Sequence, residues 1–295
     1  MNKTIAEEIR ELAKRYHTPD FITRDPIQFP HHFTDKKDIE ISAFITTWIT
    51  FGKRECIIRK LEEFHQAIDW RPFEFIRNTD NINQVISKMD KGKKFYRFYS
   101  YEDLRALCLR LQRIYTEYHS LEEAVMQTEI GPDIHRHANI HLYKLQSLFS
   151  GIKGIPEPSS YSACKRLALF LRWMVRQDRT VDLGIWKQAL QPKDLIIPLD
   201  THVIKIAIRL GLIPDTKSQT QYIAQQITDQ LRGIFPDDPC LGDFALFGKG
   251  EEEANQKSIE EEWPSSPESS FYFFLSIQVG SFLQDLFLII QCPTD

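Results

Sequence analysis

The sequence predicts an all-α, multi-helical protein, and three observations carry this prediction. Apolar residues recur at helical spacing in segments along most of the chain, and no alternating run is long enough to form a sheet. Hydrophobic residues make up 42% of the 295 residues and charged residues 26%, as in ordinary globular proteins. This composition excludes a disordered chain, a collagen-like chain and a small disulfide scaffold.

Each predicted element follows from the spacing of its apolar residues. The first carries Ile5, Ile9 and Leu12 on one face, and an aromatic, proline-containing loop follows it. Gly52 interrupts the next apolar region, which predicts two helices there. The predicted helices are Thr4–Tyr16, a pair within Ile39–Phe64, Tyr101–Tyr118, Asp133–Phe149, Tyr161–Arg176, Thr201–Leu210, Thr220–Phe235 and a short helix from about Leu241 to Phe247.

Charge divides the chain into unlike parts. The formal net charge is −4, but residues 250–295 hold nine acidic residues and only Lys257 as a basic one. Residues 1–249 therefore have a net charge of +4. We divide the chain into a core (1–249), an acidic linker (250–270) and an apolar C-terminal tail (271–295).

The tail contains a run of twenty largely apolar residues, 271–290, which is long enough to test as a membrane span. Gln278, Gln284 and Asp285 interrupt it and no Lys or Arg flanks it, so we expect no membrane association. The alternatives are a terminal helix docked on the core or on a partner, or a tail of no fixed role.

The five cysteines are far apart and form no C-x-x-C pair. A zinc ribbon, a thiolate-ligated iron–sulfur cluster and a disulfide framework are therefore not expected. The charged N-terminus lacks the apolar core of a signal peptide. These features predict a cytoplasmic protein.

The segment IIPLDTHVIKIAIRLGL carries the most chemical information. An apolar, proline-containing run delivers Asp200 to the start of an amphipathic helix. An Asp at that position is a favoured N-cap and needs no catalytic role. The pattern by itself leaves both interpretations open.

Neighbouring segments bear on that choice. The series L-D-T-H-V, helix, R-L-G-L, second helix, D-F-A-L-F-G resembles the core of the helix-hairpin-helix (HhH-GPD) DNA glycosylases, which include endonuclease III and 8-oxoguanine glycosylase. IPEPSSYSACKRLALFLRWMV resembles the hairpin and following helix of that superfamily. The likeness covers roughly 38–248. The chain is also similar to an uncharacterised bacterial family assigned to the superfamily, which has the same S-A-C-K-R-L and I-P-L-D-T-H-V segments.

The resemblance implies a two-lobed helical fold and a catalytic pair. Lys165 falls at the position of the nucleophilic lysine, and Asp200 at that of the carboxylate that stabilises positive charge on the sugar. An amine can form a Schiff base with the sugar carbon, and a carboxylate stabilises an oxocarbenium-like transition state. No iron–sulfur motif follows Asp200, so no cofactor is implied.

The resemblance also implies a base pocket and a DNA-binding surface. Phe247 would stack on a flipped base and Asp243 would face its edge. The segment 177–199 is longer than in the endonuclease III-like enzymes, and we expect its Trp186 to line the pocket as well. Lys165, Arg172 and Arg176 lie on one stripe of their predicted helix, which suits a phosphate backbone. The DNA-binding residues we expect are Lys53, Arg54, Ser159, Ser160, Arg172, Arg176 and His202.

The hairpin departs from the superfamily. Its usual G-x-G is replaced by P-E-P-S-S, and proline lacks the N–H that would donate a hydrogen bond to a phosphate.

Three histidines give a separate candidate site. His137 and His141 are four residues apart and could form a zinc pair with His135 nearby, although no H-E-x-x-H motif is present.

These observations predict a monomeric DNA glycosylase, with or without abasic-site lyase activity, acting on double-stranded DNA that carries a damaged base. An oxidised purine is the expected lesion. The alternatives are a non-catalytic DNA-binding protein on the same fold and a metal-dependent hydrolase that uses the histidines.

Overall fold

The computed structural model describes residues 3–129, 139–158, 160–178 and 180–262. Within these ranges the protein is all-α, as predicted, with thirteen α-helices and three short 3₁₀ helices. The extended pairings found there are two isolated bridges, Tyr96–Tyr99 and Ser162–Thr220.

The helices follow one another with short connections. In chain order they are α1 Lys3–Tyr16, α2 Asp20–Arg24, α3 Lys36–Trp48, α4 Arg54–Ala67, α5 Pro72–Ile76, α6 Thr79–Met89, α7 Tyr101–Glu117, α8 Leu121–Gln127, α9 Ile140–Leu148, α10 Lys165–Val175, α11 Thr201–Arg209, α12 Gln221–Arg232 and α13 Leu241–Glu262. The 3₁₀ helices are Pro26–Gln28, Pro30–His32 and Pro192–Asp194.

Helix α3 forms the centre of the core. Every residue from Ile39 to Trp48 is buried, so the helix is covered on all sides. Phe44 stacks on Phe149 with ring centroids 3.9 Å apart and meets Phe170 of α10 edge-on at 5.2 Å. Packing of α3 on α10 fixes the helix that carries Lys165.

Helix α13 packs against α1 and α11 through glycines. A Cβ added at Gly248 would lie 2.3 Å from the Tyr16 ring, and one at Gly250 would lie 2.8 Å from His202. The absence of a side chain lets these helices approach closely. Helix α13 is much longer than the predicted Leu241–Phe247, and residues 250–262 of the predicted acidic linker form its second half.

Several further differences from the predicted elements have local causes. The predicted elements do not include α2, α5, α6 and α8. Helices α2, α5 and α8 are short, whereas α6 carries Ile82, Val85, Ile86 and Met89 at helical spacing, a signal that the sequence prediction did not use. Cys164 adopts a left-handed conformation, so α10 begins at Lys165 and not at Tyr161. Helix α9 begins at Ile140, and the residues just before 139 lie outside the described ranges.

The apolar tail, 271–295, lies outside the described residues, so its predicted alternatives stay predictions. None of the helices in the described ranges is long and apolar enough to cross a membrane.

Candidate active site

Lys165 and Asp200, 35 residues apart in sequence, are in direct contact. Lys165 is the first residue of α10 and Asp200 is the N-cap of α11. The Lys165 Nζ donates to Asp200 Oδ2 at 2.8 Å. The other carboxylate oxygen, Oδ1, accepts from the backbone N–H of Val203 at 2.9 Å. Asp200 is thus both a helix cap and the partner of the lysine.

The direction of α10 at this point depends on Cys164. The backbone of this residue has φ +52° and ψ +39°, a left-handed conformation that is uncommon for residues other than glycine. Its thiol donates to the Ser162 carbonyl and accepts from the Gln146 amide, at 3.2 and 3.1 Å. These contacts hold the sharp turn that directs Lys165 toward Asp200.

The pair lies in a cavity of about 600 Å³. This is within the size range of small-molecule and cofactor sites. Phe21 and Phe247 line it with aromatic surface, their ring centroids 6.5 Å apart. The loop before α4, the start of α10, the start of α11 and α13 all contribute to the wall.

Two carboxyl groups with raised pKa values also line the cavity. Burial raises the pKa of Asp243 to about 6, against the lowering effect of the Arg172 charge, and the charge of Asp200 adds to the increase. Burial likewise raises the pKa of Asp25, and the charge of Arg54 lowers it in part. Perturbed carboxyl groups in one cavity are typical of catalytic sites.

Arg172 and Arg176 do not form the exposed stripe that the sequence predicted. Arg172 is only 3% exposed and donates to Asp243 at 2.6 Å and to Asp182 at 3.3 Å. Arg176 is 1% exposed and is bonded to three carboxylates, those of Asp178, Asp182 and Asp238. Both guanidinium groups are buried among carboxylates, although Arg172 also lines the cavity, so phosphate binding by these two arginines stays a prediction.

Trp186 is also not in the predicted place. It is fully buried, its indole N–H donates to Glu40 Oε1 at 2.6 Å, and its ring meets Phe170 edge-on. Glu40 is buried as well, so the tryptophan and the carboxylate satisfy each other inside the core. Trp186 is therefore a core residue and does not line the cavity.

Arg54 faces the cavity and forms an ion pair with Glu251 of α13. Asp25 lies further from its guanidinium, at 4.0 Å. Lys53 precedes α4 and is exposed. His202 lines the cavity, and its Nδ1 donates to the Gly250 carbonyl at 3.2 Å, which ties α11 to α13.

The hairpin before α10 is described except for Ser159, which lies outside the described residues. The backbone N–H of Ser160 donates to the Glu157 carbonyl at 2.9 Å, and its hydroxyl is buried with no hydrogen-bond partner among the described residues. The phosphate-binding role expected of Ser160 stays a prediction.

Sequence reasoning missed three residues of this site: Asp25, Arg166 and Glu251. Arg166 donates to the Trp48 carbonyl at 2.7 Å and also to the Gly154 carbonyl, which joins α3, α10 and the hairpin. Asp25 precedes Pro26, an Asp-Pro pair that signals a turn or helix start. Nothing in the sequence around Glu251 indicates that it would meet Arg54.

His141 lies in α9 and is half-buried, whereas His135 and His137 are outside the described residues. The described part of the chain holds no group of three His, Cys, Asp or Glu side chains arranged to bind a metal ion.

Comparison with known proteins gives one finding. Residues 25–252 match a family described as a protein of unknown function, DUF2400. No curated protein and no solved structure is significantly similar to the chain. The match spans well over half of the chain and contains Asp25, Lys165, Asp200, Asp243 and Glu251. The chain therefore belongs to the DUF2400 family.

Proposed function

We propose that the protein is a DNA N-glycosylase with abasic-site lyase activity, built on a helix-hairpin-helix fold, that removes a damaged base from duplex DNA. The observation that carries the proposal is the 2.8 Å contact between Lys165 and Asp200 inside a cavity with aromatic walls. The sequence resemblance assigns these two residues to the chemistry.

The contact suits a stepwise reaction. The bond between C1′ and the base nitrogen breaks, the electron pair leaves with the base, and the Asp200 carboxylate stabilises the positive sugar. Lys165 then passes a proton from Nζ to Asp200 and forms a bond to C1′. One of the two protons on that nitrogen moves to the ring oxygen as the ring opens, which leaves a Schiff base.

The cavity suits a base that has left the helix stack. A flipped base needs a pocket with a stacking surface and polar groups at its edge. Phe247 supplies the first and Asp243 the second, in the roles that the resemblance assigns to them. Lys53, Arg54, Ser159, Ser160 and His202 remain residues that we expect to contact DNA around the pocket.

The test is a panel of duplexes, each with one lesion (an oxidised purine, an oxidised pyrimidine, an alkylated purine, uracil or an abasic site), incubated with the full-length protein and borohydride. We expect strand cleavage and a covalent protein–DNA adduct. Lys165→Gln should reduce adduct formation by roughly 100-fold or more, because a general base or nucleophile typically contributes that much.

Lys36→Gln is a matched control. The side chain of Lys36 is 39% exposed against 36% for Lys165, and it too is paired with a buried carboxylate, Glu122. It lies outside the cavity, so this variant should form the adduct like the wild type. Adduct formation undiminished in Lys165→Gln, or absent with every lesion in the wild type, would contradict the proposal. Tight DNA binding without cleavage would favour the non-catalytic alternative.

A further inference from the structure

One carboxylate oxygen of Asp243 is buried but accepts no hydrogen bond from the described residues around it. Its Oδ2 accepts from Arg172 Nη1 at 2.6 Å, but Oδ1 is buried with no hydrogen-bond partner among the described residues. Leaving a buried acceptor without a hydrogen bond destabilises the folded state, and more so when the group is charged. Such an oxygen is accounted for if it carries a proton or meets a substrate.

Charged and titratable groups surround Asp243 from several elements. Lys165 and Arg172 approach from α10, Asp200 from the start of α11, and Cys240 from the turn before α13. Asp182 and Arg176 form the next layer behind Arg172. Lys165 and Asp200 are close enough to alter the titration of Asp243, so the three groups belong to one site.

We propose that Asp243 is a catalytic residue that donates a proton to the departing base. This inference rests on the proposed function. As the C1′–N bond breaks, its electron pair goes to the base nitrogen, and the proton on Asp243 Oδ1 passes to the base. The base leaves neutral and Asp243 becomes a carboxylate. A proton from solvent restores the acid before the next turnover.

Asp200 and Asp243 would then have different roles: Asp200 stabilises the charged sugar and Asp243 donates a proton to the base. Both oxygens of Asp200 accept hydrogen bonds, from Lys165 and Val203, so it is suited to stabilise positive charge on the sugar. Asp243 has one free oxygen and a pKa of about 6, raised mainly by burial. Environments that separate two carboxyl groups in this way are typical of acid–base pairs in enzymes.

Asp25, the other cavity carboxyl group with a raised pKa, is less suited to donate a proton. Its Oδ1 accepts from the backbone N–H of Ile27 at 3.0 Å, and Oδ2 faces the Arg54 guanidinium. Both oxygens are therefore engaged with donors or positive charge. Among the described carboxyl groups that line the cavity, Asp243 is the one with a buried oxygen that has no hydrogen-bond partner and can hold a proton.

The experiment compares two reactions of Asp243→Asn: excision of the damaged base, and Schiff-base trapping on a duplex that already contains an abasic site. Only excision has a departing base to protonate. We expect the excision rate to fall by roughly 100-fold, the usual contribution of a general acid, and trapping to stay close to wild type. Wild-type excision should also slow as pH rises above about 6, because Asp243 loses its proton, and the variant should lack this dependence.

Asp182→Asn is the matched control. It removes the other carboxylate from Arg172, and Asp182 itself is not among the residues that line the cavity. We expect it to affect excision and trapping equally and to keep the wild-type pH profile. If Asp182→Asn also lost excision while it kept trapping, the role of Asp243 would be only to position Arg172, and the inference would be wrong.

The remaining outcomes separate this inference from the proposed function. A wild type that neither excises nor traps overturns both. A wild type that excises together with an Asp243→Asn variant that excises equally well overturns this inference alone. Loss of trapping along with excision in Asp243→Asn would also overturn it, because proton donation to a base plays no part in trapping.

Discussion

The two carboxylate oxygens of Asp200 make different contacts: one caps a helix, and the other meets the lysine to which the proposed function assigns the chemistry. Oδ1 caps α11 through Val203, and Oδ2 accepts from Lys165. Asparagine is as good an N-cap as aspartate but carries no charge, whereas alanine can neither cap nor carry charge. Two substitutions at one position therefore separate the two contacts.

We expect Asp200→Asn to keep the free energy of unfolding near wild type, and Asp200→Ala to lower it by about 1 kcal/mol through loss of the cap. Both variants should lose base excision by a similar factor, because both lack the negative charge beside the sugar. Urea unfolding and excision rates measure the two effects. An active Asp200→Asn variant would show that capping is the whole role of this residue.

Helices α3 and α4 are joined by a buried histidine that the structure holds neutral. His65 Nδ1 donates to the Leu61 carbonyl at 2.8 Å, and Nε2 accepts from the Ser42 hydroxyl at 2.9 Å. Burial lowers the pKa of His65 to about 4, with the nearby His32 adding to the decrease. The unfolded chain binds a proton at this histidine at higher pH than the folded chain does. The contribution of His65 to folding stability is therefore fully present above about pH 6.5 and is lost as the pH falls toward 4.

This histidine should contribute about 3 kcal/mol to the loss of stability over that range, from 1.36 kcal/mol per pKa unit. His65→Gln should lower stability at pH 7 but show a shallower decline between pH 6.5 and 4. Asp243 titrates with the opposite sign in the same window, so the informative quantity is the difference between the variant and the wild type. Equal slopes in the two proteins would contradict a neutral, buried His65.

At the element scale, periodicity predicted the long helices and their inward faces but not their neighbours. A helical wheel places Lys165, Arg172 and Arg176 on one stripe, yet the last two are paired with the buried carboxylates of Asp243 and Asp182. The contact between Lys165 and Asp200 followed from a family resemblance, because spacing in sequence carries no information about contacts between helices. The left-handed Cys164 and the length of α13 depend on tertiary packing, which local propensity does not encode.

At the scale of the whole molecule, the net charge of −4 does not show which charges neutralise one another within the fold. The acidic segment Glu251–Glu253 of α13 pairs with Arg54, Arg15 and Arg209, which come from three different helices. Arg15 and Arg209 are about half exposed even while paired. On the proposed function, these cations would meet phosphate only after the glutamates release them. We therefore expect α13 to oppose DNA binding more strongly than its charge alone implies.

Two variants of equal net charge test this. Replacing the three glutamates of the acidic segment by glutamine, or replacing Glu268, Asp285 and Asp295 of the tail by their amides, changes the net charge from −4 to −1 in each case. We expect the first to raise affinity for undamaged duplex at about 50 mM salt by roughly 10-fold and to steepen its salt dependence, because three cations become available to phosphates. The second should have a smaller effect that high salt abolishes, since only long-range repulsion is removed. Equal gains would show that overall charge, and not the pairing within α13, controls access to DNA.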